Sequence, residues 1–285
     1  MILPADKRVD LLLLTHNRRQ YLEKMLPQLL SDPADFRLHC WDNASTDGTA
    51  DIIADLDDDR VARKHFHPEN ANQTEPSLWF LESAPGDIVG KIDDDILLPH
   101  GWIDRIAPMV RRNPTLGMIG CWIFMPQDWD EQLAAHNIVD ADGDKIFRVT
   151  AVAGQSFLAR RDLLRYYVSM EKPGFPVDGS AMSLDGYISG QPTSPLLMAH
   201  NMDDPRSPHC LMATEHADGD QQAFTMRRQP FKSLEDYARW IAADARRRQT
   251  IPIHEQLQNS RRRRRQERSV VGRFRHKMSH LLRRP

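Results

Sequence analysis

Hydrophobic positions over the first hundred residues alternate between two periodicities. Residues 9–15 form a nearly continuous apolar run, as expected of a strand covered on both faces. Tyr21, Leu22, Met25, Leu26 and Leu29 then recur at helical spacing within residues 18–30. The alternation repeats, with strands predicted at 37–41, 61–66 and 87–92 and helices at 49–56 and 77–83, the last broken by Pro85-Gly86. Strand and helix taking turns at this spacing predict an α/β fold around a mainly parallel sheet. Beyond residue 100 the pattern loosens. A helix is predicted at 102–111, strands at 118–124, 152–159 and 196–199, a Gly/Pro-rich stretch at 173–179 and a short helix at 183–189. Leu234, Tyr237, Ala238, Trp240 and Ile241 mark one face of a further helix that packs on the body. No internal repeat is evident.

Composition adds one asymmetry. The chain has 285 residues, 40% of them hydrophobic, ample for a buried core, and a formal net charge of −2. Residues 246–285 carry 14 Lys+Arg against only Glu255 and Glu267, so the rest of the chain is strongly acidic. An acidic body does not hold nucleic acid on its main surface, whereas the basic tail suits an anionic partner. The apolar run at 11–14 falls far short of the ~20 residues of a membrane-spanning helix. The opening residues lack the pattern of a cleaved signal peptide, so a cytoplasmic location is expected. Cys40, Cys121 and Cys210 are odd in number and far apart, which predicts neither a disulfide framework nor a metal knuckle.

In open α/β sheets, ligands gather at the carboxyl ends of the strands. Three polar clusters stand there: Thr15-His16-Asn17-Arg18, the stretch from Asp42-Asn43 to Thr49, and Asp93-Asp94-Asp95. Adjacent carboxylates repel one another unless a cation or donors neutralise them. In extended backbone Asp93 and Asp95 face one way and Asp94 the other, which offers hard oxygen ligands to Mg²⁺ or Mn²⁺ with room for phosphate oxygens. A bare aspartate triplet also has the composition of a solvated acidic turn, and its position after an apolar strand favours the metal. In the second cluster Thr46 and Asp47 suit helix capping. Asp42, the last strand residue, can accept hydrogen bonds from a base or ribose.

Together these three clusters resemble glycosyltransferase family 2, nucleotide-sugar-dependent transferases of the GT-A fold. The resemblance is tight over residues 9–104, including Pro99-His100-Gly101-Trp102, and looser from Gly154 to His200. It implies a GT-A (Rossmann-like), mainly parallel sheet flanked by helices, with the basic helical C-terminal appendage outside that fold. It implies nucleotide contacts from Thr15, Asn17, Arg18, Asp42, Asn43, Asp93 and Asp94, and Mn²⁺ or Mg²⁺ held by Asp93 and Asp95. His200, where relatives carry a metal-shell histidine, is the third candidate ligand, and a structural hydrogen-bonder otherwise. His209 and His216 are weaker rivals, and residues 200–209 also read as a lid over the donor. The family's Glu-Asp pair, whose Asp is the catalytic base, falls on Ser183-Leu184-Asp185-Gly186, where Leu184 departs from the pattern. Asp185 is thus the candidate base, or else a first-turn helix acid. Asp178 is the second candidate, on the acceptor side. Trp102 either offers the acceptor an apolar face or packs in the core.

On this basis the expected organisation is a transferase domain at 1–232, with a nucleotide-binding half at 1–104 and an acceptor half at 105–232. A packing helix at 233–248 and a basic tail at 249–285 follow. Within the tail five arginines occupy 261–265, and Val270, Val271, Phe274, Met278, Leu281 and Leu282 recur at helical spacing among further basic residues. That pattern predicts a basic amphipathic helix lying on an anionic membrane surface through 261–285, on the cytoplasmic face. A solvated tail is the alternative; a nucleic-acid arm is disfavoured by the regular apolar stripe. The expected reaction moves a sugar from a nucleotide-diphospho-sugar, a UDP-sugar first among them, to an acceptor hydroxyl on a glycan or lipid-linked intermediate. Inversion is the favoured outcome, with retention as the alternative. A sugar-1-phosphate nucleotidyltransferase would require a Gly-rich loop after the first strand, and Thr15-His16-Asn17-Arg18 has no glycine. A retired transferase serving as a scaffold would require broken aspartates, and these are intact.

Overall fold

The computed structural model describes residues 7–71, 73–152, 156–170, 179–212, 231 and 233–268. Its strands are β1 (Val9–Thr15), β2 (Phe36–Asn43), β3 (Val61–His67), β4 (Ile88–Asp93), β5 (Ile96–Leu97), β6 (Leu116–Gly120), β7 (Ile138–Ala141), β8 (Asp144–Arg148), β9 (Ser156–Arg160), β10 (Ile188–Pro192) and β11 (His200–Asn201). Its helices are α1 (Arg19–Leu30), α2 (Thr49–Asp55), α3 (Thr74–Ser83), α4 (Trp102–Arg112), α5 (Glu131–Ala134), α6 (Arg161–Met170), α7 (Ser180–Leu184), α8 (Leu234–Thr250) and α9 (Ile253–Arg268).

Nine strands form one sheet in the order β3-β2-β1-β4-β9-β6-β10-β8-β7. β1 to β4 are mutually parallel, β9 runs antiparallel between β4 and β6, and β10 is parallel to β6. Only β9 and β8 oppose the common direction among these strands, so the carboxyl ends of the others share one edge. Residues buried on one face of β1 and β2, such as Leu11, Leu13, Leu38 and Cys40, pack with Leu22, Met25, Ile53 and Trp102 from α1, α2 and α4. Leu12 and Trp41 look the other way and pack with Phe80, Leu164 and Ile241 from α3, α6 and α8.

Several sequence expectations shift here. The helix predicted at 183–189 stops at Leu184, because Gly186 takes φ +98° and turns the chain into β10. The strand predicted at 118–124 starts at Leu116 and ends at Gly120, and residues 196–199 make only isolated bridges. Their apolar side chains alternate into the core without a partner strand, which reproduces a strand's periodicity. The β7–β8 hairpin went unpredicted, although Asp142 and Gly143, with φ +57° and +84°, form the Asp-Gly turn that favours it. At the C-terminus, Tyr237, Ile241 and Ala245 bury one face of α8. Asn137 then ties α8 to α9, accepting from Ile253 N–H at 2.8 Å and donating to the Ile251 carbonyl at 2.9 Å. α9 carries the arginine run on largely exposed positions. The apolar stripe predicted from residue 270 onward lies outside the described residues.

Candidate active site at the carboxyl edge of the sheet

The loops after β1 and β2 interlock. Asn17, at φ +52°, donates its N–H to Ser45 Oγ at 2.8 Å and accepts from Thr46 N–H at 2.7 Å. Arg18 N–H donates to Thr49 Oγ1 at 2.8 Å, while Asp47 accepts from Thr49 N–H and Arg19 N–H. Asp47, one residue before the Gly48 N-cap of α2, thus ties the first residues of α1 and α2 together without being the cap of either helix. Asp42 is buried; one carboxylate oxygen accepts from Ser45 N–H at 3.0 Å and the other, Oδ1, has no hydrogen-bond partner among the described residues. Asn43 differs from the expectation. Its amide donates to Asn70 Oδ1 and the Ala71 carbonyl, and its oxygen accepts from Ala71 N–H and Trp41 Nε1. These bonds occupy both ends of the amide, so Asn43 pins the loop at 70–71 rather than facing a nucleotide.

The aspartates do not follow strict strand alternation, because β4 ends at Asp93 and Asp94-Asp95 form a turn. Asp93 receives the ammonium of Lys91. Asp94 is buried beside Thr15 and Arg18, with Arg18 Nε 3.8 Å from its carboxylate. β5 pairs with β11, and Met202 N–H donates to the Asp95 carbonyl at 2.8 Å. That pairing brings in Asp203, which accepts from Tyr21 Oη at 2.5 Å and from Arg18 Nη2 at 3.4 Å. The Arg18 guanidinium lies 4.4 Å from the Tyr21 ring centre. Sequence reasoning named Arg18 but missed Tyr21 and Asp203. The polar density of residues 200–209 was the available signal, but their contact with α1 joins residues 182 and 185 positions apart.

Electrostatics at this edge follow from the geometry. Burial pushes the Asp94 carboxyl up to about 6, against the pull of Arg18 and of the neighbouring Thr15 hydroxyl. Burial, then Asp203, Asp93 and Asp94, push Asp95 well above the carboxylate range. Asp95 Oδ1 is buried with no hydrogen-bond partner among the described residues. Four carboxylates thus share Arg18 and Lys91, leaving a deficit of positive charge and an unused hard oxygen. This donor set fits a divalent cation whose coordination is completed by other oxygens. Among the described residues, no group of three or more His, Cys, Asp or Glu is arranged to hold a metal by itself. His200 pairs with Leu97, and its ring stands 4.8 Å from that of His209. Residues 200–212 are packed: Met202, Asp203, Asp204 and Leu211 are buried, and Arg206 bridges Asp204 to Asp128 at 2.6–2.9 Å.

The acceptor-side candidates fall elsewhere. Trp102 is 0% exposed, a core residue of α4 rather than a platform for an acceptor. Asp185 is exposed at the end of α7, not at a helix start, and accepts from Tyr167 Oη at 2.6 Å. Gly190 of β10 stands level with Ile119, Leu158 and Gly90 across the sheet, and Ile188 with Leu116. Asp185 therefore precedes the amino end of β10, whereas Asp93 ends β4. At ~3.3 Å per residue and ~4.8 Å per strand the two are separated by roughly 20 Å. Asp178 and His216 lie outside the described residues.

Comparison with known proteins comes down to one family and a set of structures. Residues 10–168 match the family described as Glycosyl transferase family 2. TarS from S. aureus, solved with UDP-GlcNAc, superposes with a TM-score of 0.52 at 13% identity, over 68% of this chain and 58% of that one. The mannosyltransferase PcManGT from Pyrobaculum calidifontis, solved with GDP-Man and Mn²⁺, gives a TM-score of 0.55 at 20% identity, over 96% of this chain and 80% of that one. At these identities the likeness speaks for the fold. The chain spans less than two thirds of the TarS structure. No curated protein matches.

Proposed function

This chain belongs to glycosyl transferase family 2, and we propose that it transfers a sugar from a nucleotide-diphospho-sugar, a UDP-sugar, to an acceptor hydroxyl. The observation that carries this reading is the charge-deficient cluster of Asp93, Asp94, Asp95 and Asp203 at the carboxyl edge, with the buried Asp95 Oδ1 unsatisfied. Asp93 and Asp95 would hold Mn²⁺ or Mg²⁺. Such a cation, when bound, neutralises charge on a leaving diphosphate. GDP-Man and Mn²⁺ in the mannosyltransferase and UDP-GlcNAc in TarS support a donor of this class here.

The chain's own residues do the rest. Asp42 Oδ1 accepts a hydrogen bond from the base or ribose, which satisfies its buried lone pair. Asn17 and Thr15 shape the donor side; Arg18, held by Asp203 and stacked on Tyr21, keeps a fixed positive charge beside the diphosphate. Transfer is a single displacement. An acceptor oxygen bonds to the anomeric carbon, the bond from that carbon to the diphosphate oxygen breaks, and the acceptor's proton passes to a carboxylate. Asp185, roughly 20 Å from the cluster, cannot reach that proton directly. Asp178, directly before Gly179 and α7, takes the role, and the sugar is inverted. His200 stands beside His209 and drops out of the donor set, because among the described residues no three His, Cys, Asp or Glu are grouped to hold a metal.

The acceptor is a glycan or lipid-linked intermediate, and the arginines of 261–265 hold the enzyme on an anionic membrane from its cytoplasmic side. Each basic residue near such a surface contributes about 1 kcal/mol. Among the described residues no helix is long and apolar enough to cross a membrane.

Calorimetric titration of UDP, GDP and CDP, with and without Mn²⁺, into the wild type and an Asp93→Ala/Asp95→Ala variant tests the donor reading. Mn²⁺-dependent binding of UDP, lost in the variant, is expected. Failure of a folded wild type to bind any of the three overturns it.

A further inference from the structure

A groove of about 620 Å³ lies between edge strand β3 and helix α3, and the chemistry above does not use it. The volume is that of a small-molecule site. Side chains alternate across β2, so Trp41 points to this face of the sheet, where it lies buried beneath the groove at 2% exposure, while Asp42 points to the other face. His65 and His67, alternate residues of β3, stack on Trp41 with ring centres 4.0 and 5.1 Å away and planes inclined by 27° and 20°. The facing wall is one side of α3, where Glu75, Trp79 and Glu82 follow at helical spacing. Trp79 meets Trp41 edge-on at 5.4 Å, and the Arg63 guanidinium, 4.5 Å from its ring centre, fixes the indole from outside the groove lining.

The charged groups of the lining are both carboxylates, Glu75 and Glu82, beside the neutral polar groups of Thr74, His65, His67 and Trp79. The Glu75 and Glu82 side chains are acceptors when ionised. Glu75 stands 3.3 Å from His67 Nε2, and Glu82 is exposed at the rim. His65 Nε2 is buried with no hydrogen-bond partner among the described residues. Burial, then His67 and Arg63, hold His65 below its ordinary pKa, so near pH 7 it is a neutral imidazole and adds no positive charge to the groove. The occupant must therefore bring hydroxyl donors and C–H surface together, and it must lack phosphate, which two carboxylates repel. A nucleotide-sugar fails the last condition, whereas the uncharged rings of a glycan meet all of them.

We propose that the groove between β3 and α3 is a saccharide-binding site for neutral sugar residues of the acceptor, formed by Trp79, Leu78, Glu75 and Glu82 over a floor of His65 and His67. The assignment to the acceptor rests on the transferase reading; the presence of a saccharide site does not.

The test titrates mannotetraose, cellotetraose and chitotetraose into the full chain, with saturation-transfer NMR as the readout and tetramethylammonium as a control. Trp79→Ala risks the α3 packing, so the exposed rim is changed instead, with Glu75→Gln/Glu82→Gln and separately Leu78→Ser. One of the saccharides is expected to bind, and each rim variant to weaken it by about tenfold, the loss of one or two hydrogen bonds or a contact. Nucleotide binding should stay unchanged in both variants. The proposal is overturned if a protein that binds nucleotide takes up none of the three, if the rim variants bind them as the wild type does, or if only tetramethylammonium binds. Saccharide binding without nucleotide binding would remove the donor reading and keep the groove.

Discussion

Replacing Asp185 by asparagine separates two readings of the acceptor half, because its sequence context and its position point opposite ways. A general base must come within about 2.6–3.2 Å of the proton it takes, directly or through one water. The sheet register puts Asp185 roughly 20 Å from Asp93, so the substitution removes no group from the reacting atoms. What it removes is the negative charge on the acceptor of the Tyr167–Asp185 hydrogen bond at an exposed position, an amide oxygen remaining to accept from Tyr167 Oη. That loss costs about 0.5–1.5 kcal/mol, and about 1–6 °C in melting temperature for a domain of this size. Turnover by Asp185→Asn should therefore stay within about twofold of wild type, whereas Asp178→Asn should lose about 10²–10⁴-fold in kcat with its nucleotide affinity intact. The assay is release of nucleoside diphosphate at saturating donor, run beside thermal melts and nucleotide titrations of each variant. A folded Asp185→Asn protein that binds nucleotide normally yet turns over a hundredfold more slowly would refute the register argument and restore Asp185 as the base.

Other consequences follow from the buried charges and the tail. Asp10, fully buried, accepts from Arg37 Nε at 2.7 Å and Nη2 at 2.8 Å, from Gly86 N–H at 2.7 Å and pairs with His39 Nε2 at 2.8 Å. Asp10→Ala strands these groups and should cost about 3–5 kcal/mol. Burial raises the Asp10 carboxyl, but its hydrogen bonds from Arg37, His39 and Gly86 outweigh that and hold it below its ordinary value. The Asp10 contribution is therefore complete above the unfolded pKa of ~3.9 and lost as pH falls through the lower folded value. Melts of wild type and variant should stay apart at neutral pH and converge only in strong acid. Arg18→Leu leaves Asp94 and Asp203 buried without their guanidinium and should cost a further about 3–5 kcal/mol in metal-free buffer, read by urea titration. Glutamine at all five positions 261–265 should weaken sedimentation with anionic vesicles by at least about tenfold, leave neutral vesicles unaffected and flatten the salt dependence. Equal sedimentation of both proteins would remove the membrane assignment.

Much of the carboxyl-edge cluster was legible because its information is local. A strand buried on both faces, a helix one turn later and a polar cluster at the strand end are each written within a dozen residues, as in 9–22 and 36–53. That is why Thr15, Asn17, Arg18, Asp42 and the aspartates were named from sequence and stand together at one edge. Asn43 looked the same in sequence, and only its four contacts with Trp41, Asn70 and Ala71 show that it is spent on a loop. Trp102 carried no sign of which way its ring turns; burial in the core decided that.

The sequence by itself determined the alternating α/β framework, the edge at which the polar clusters gather and the split between acidic body and basic tail. These follow from periodicity, strand polarity and charge count, which need no knowledge of distant contacts. Tertiary structure alone decided that Asp203 and Tyr21 join Arg18 and that Asp185 sits at the opposite edge from Asp93. It also decided that two histidines of β3 face α3 across a groove. Each of these depends on strand order and register between segments far apart in the chain, and hydrophobic periodicity is blind to both. A residue's neighbour along the chain is fixed by the sequence, but its neighbour across the sheet is chosen by the packing of everything between them.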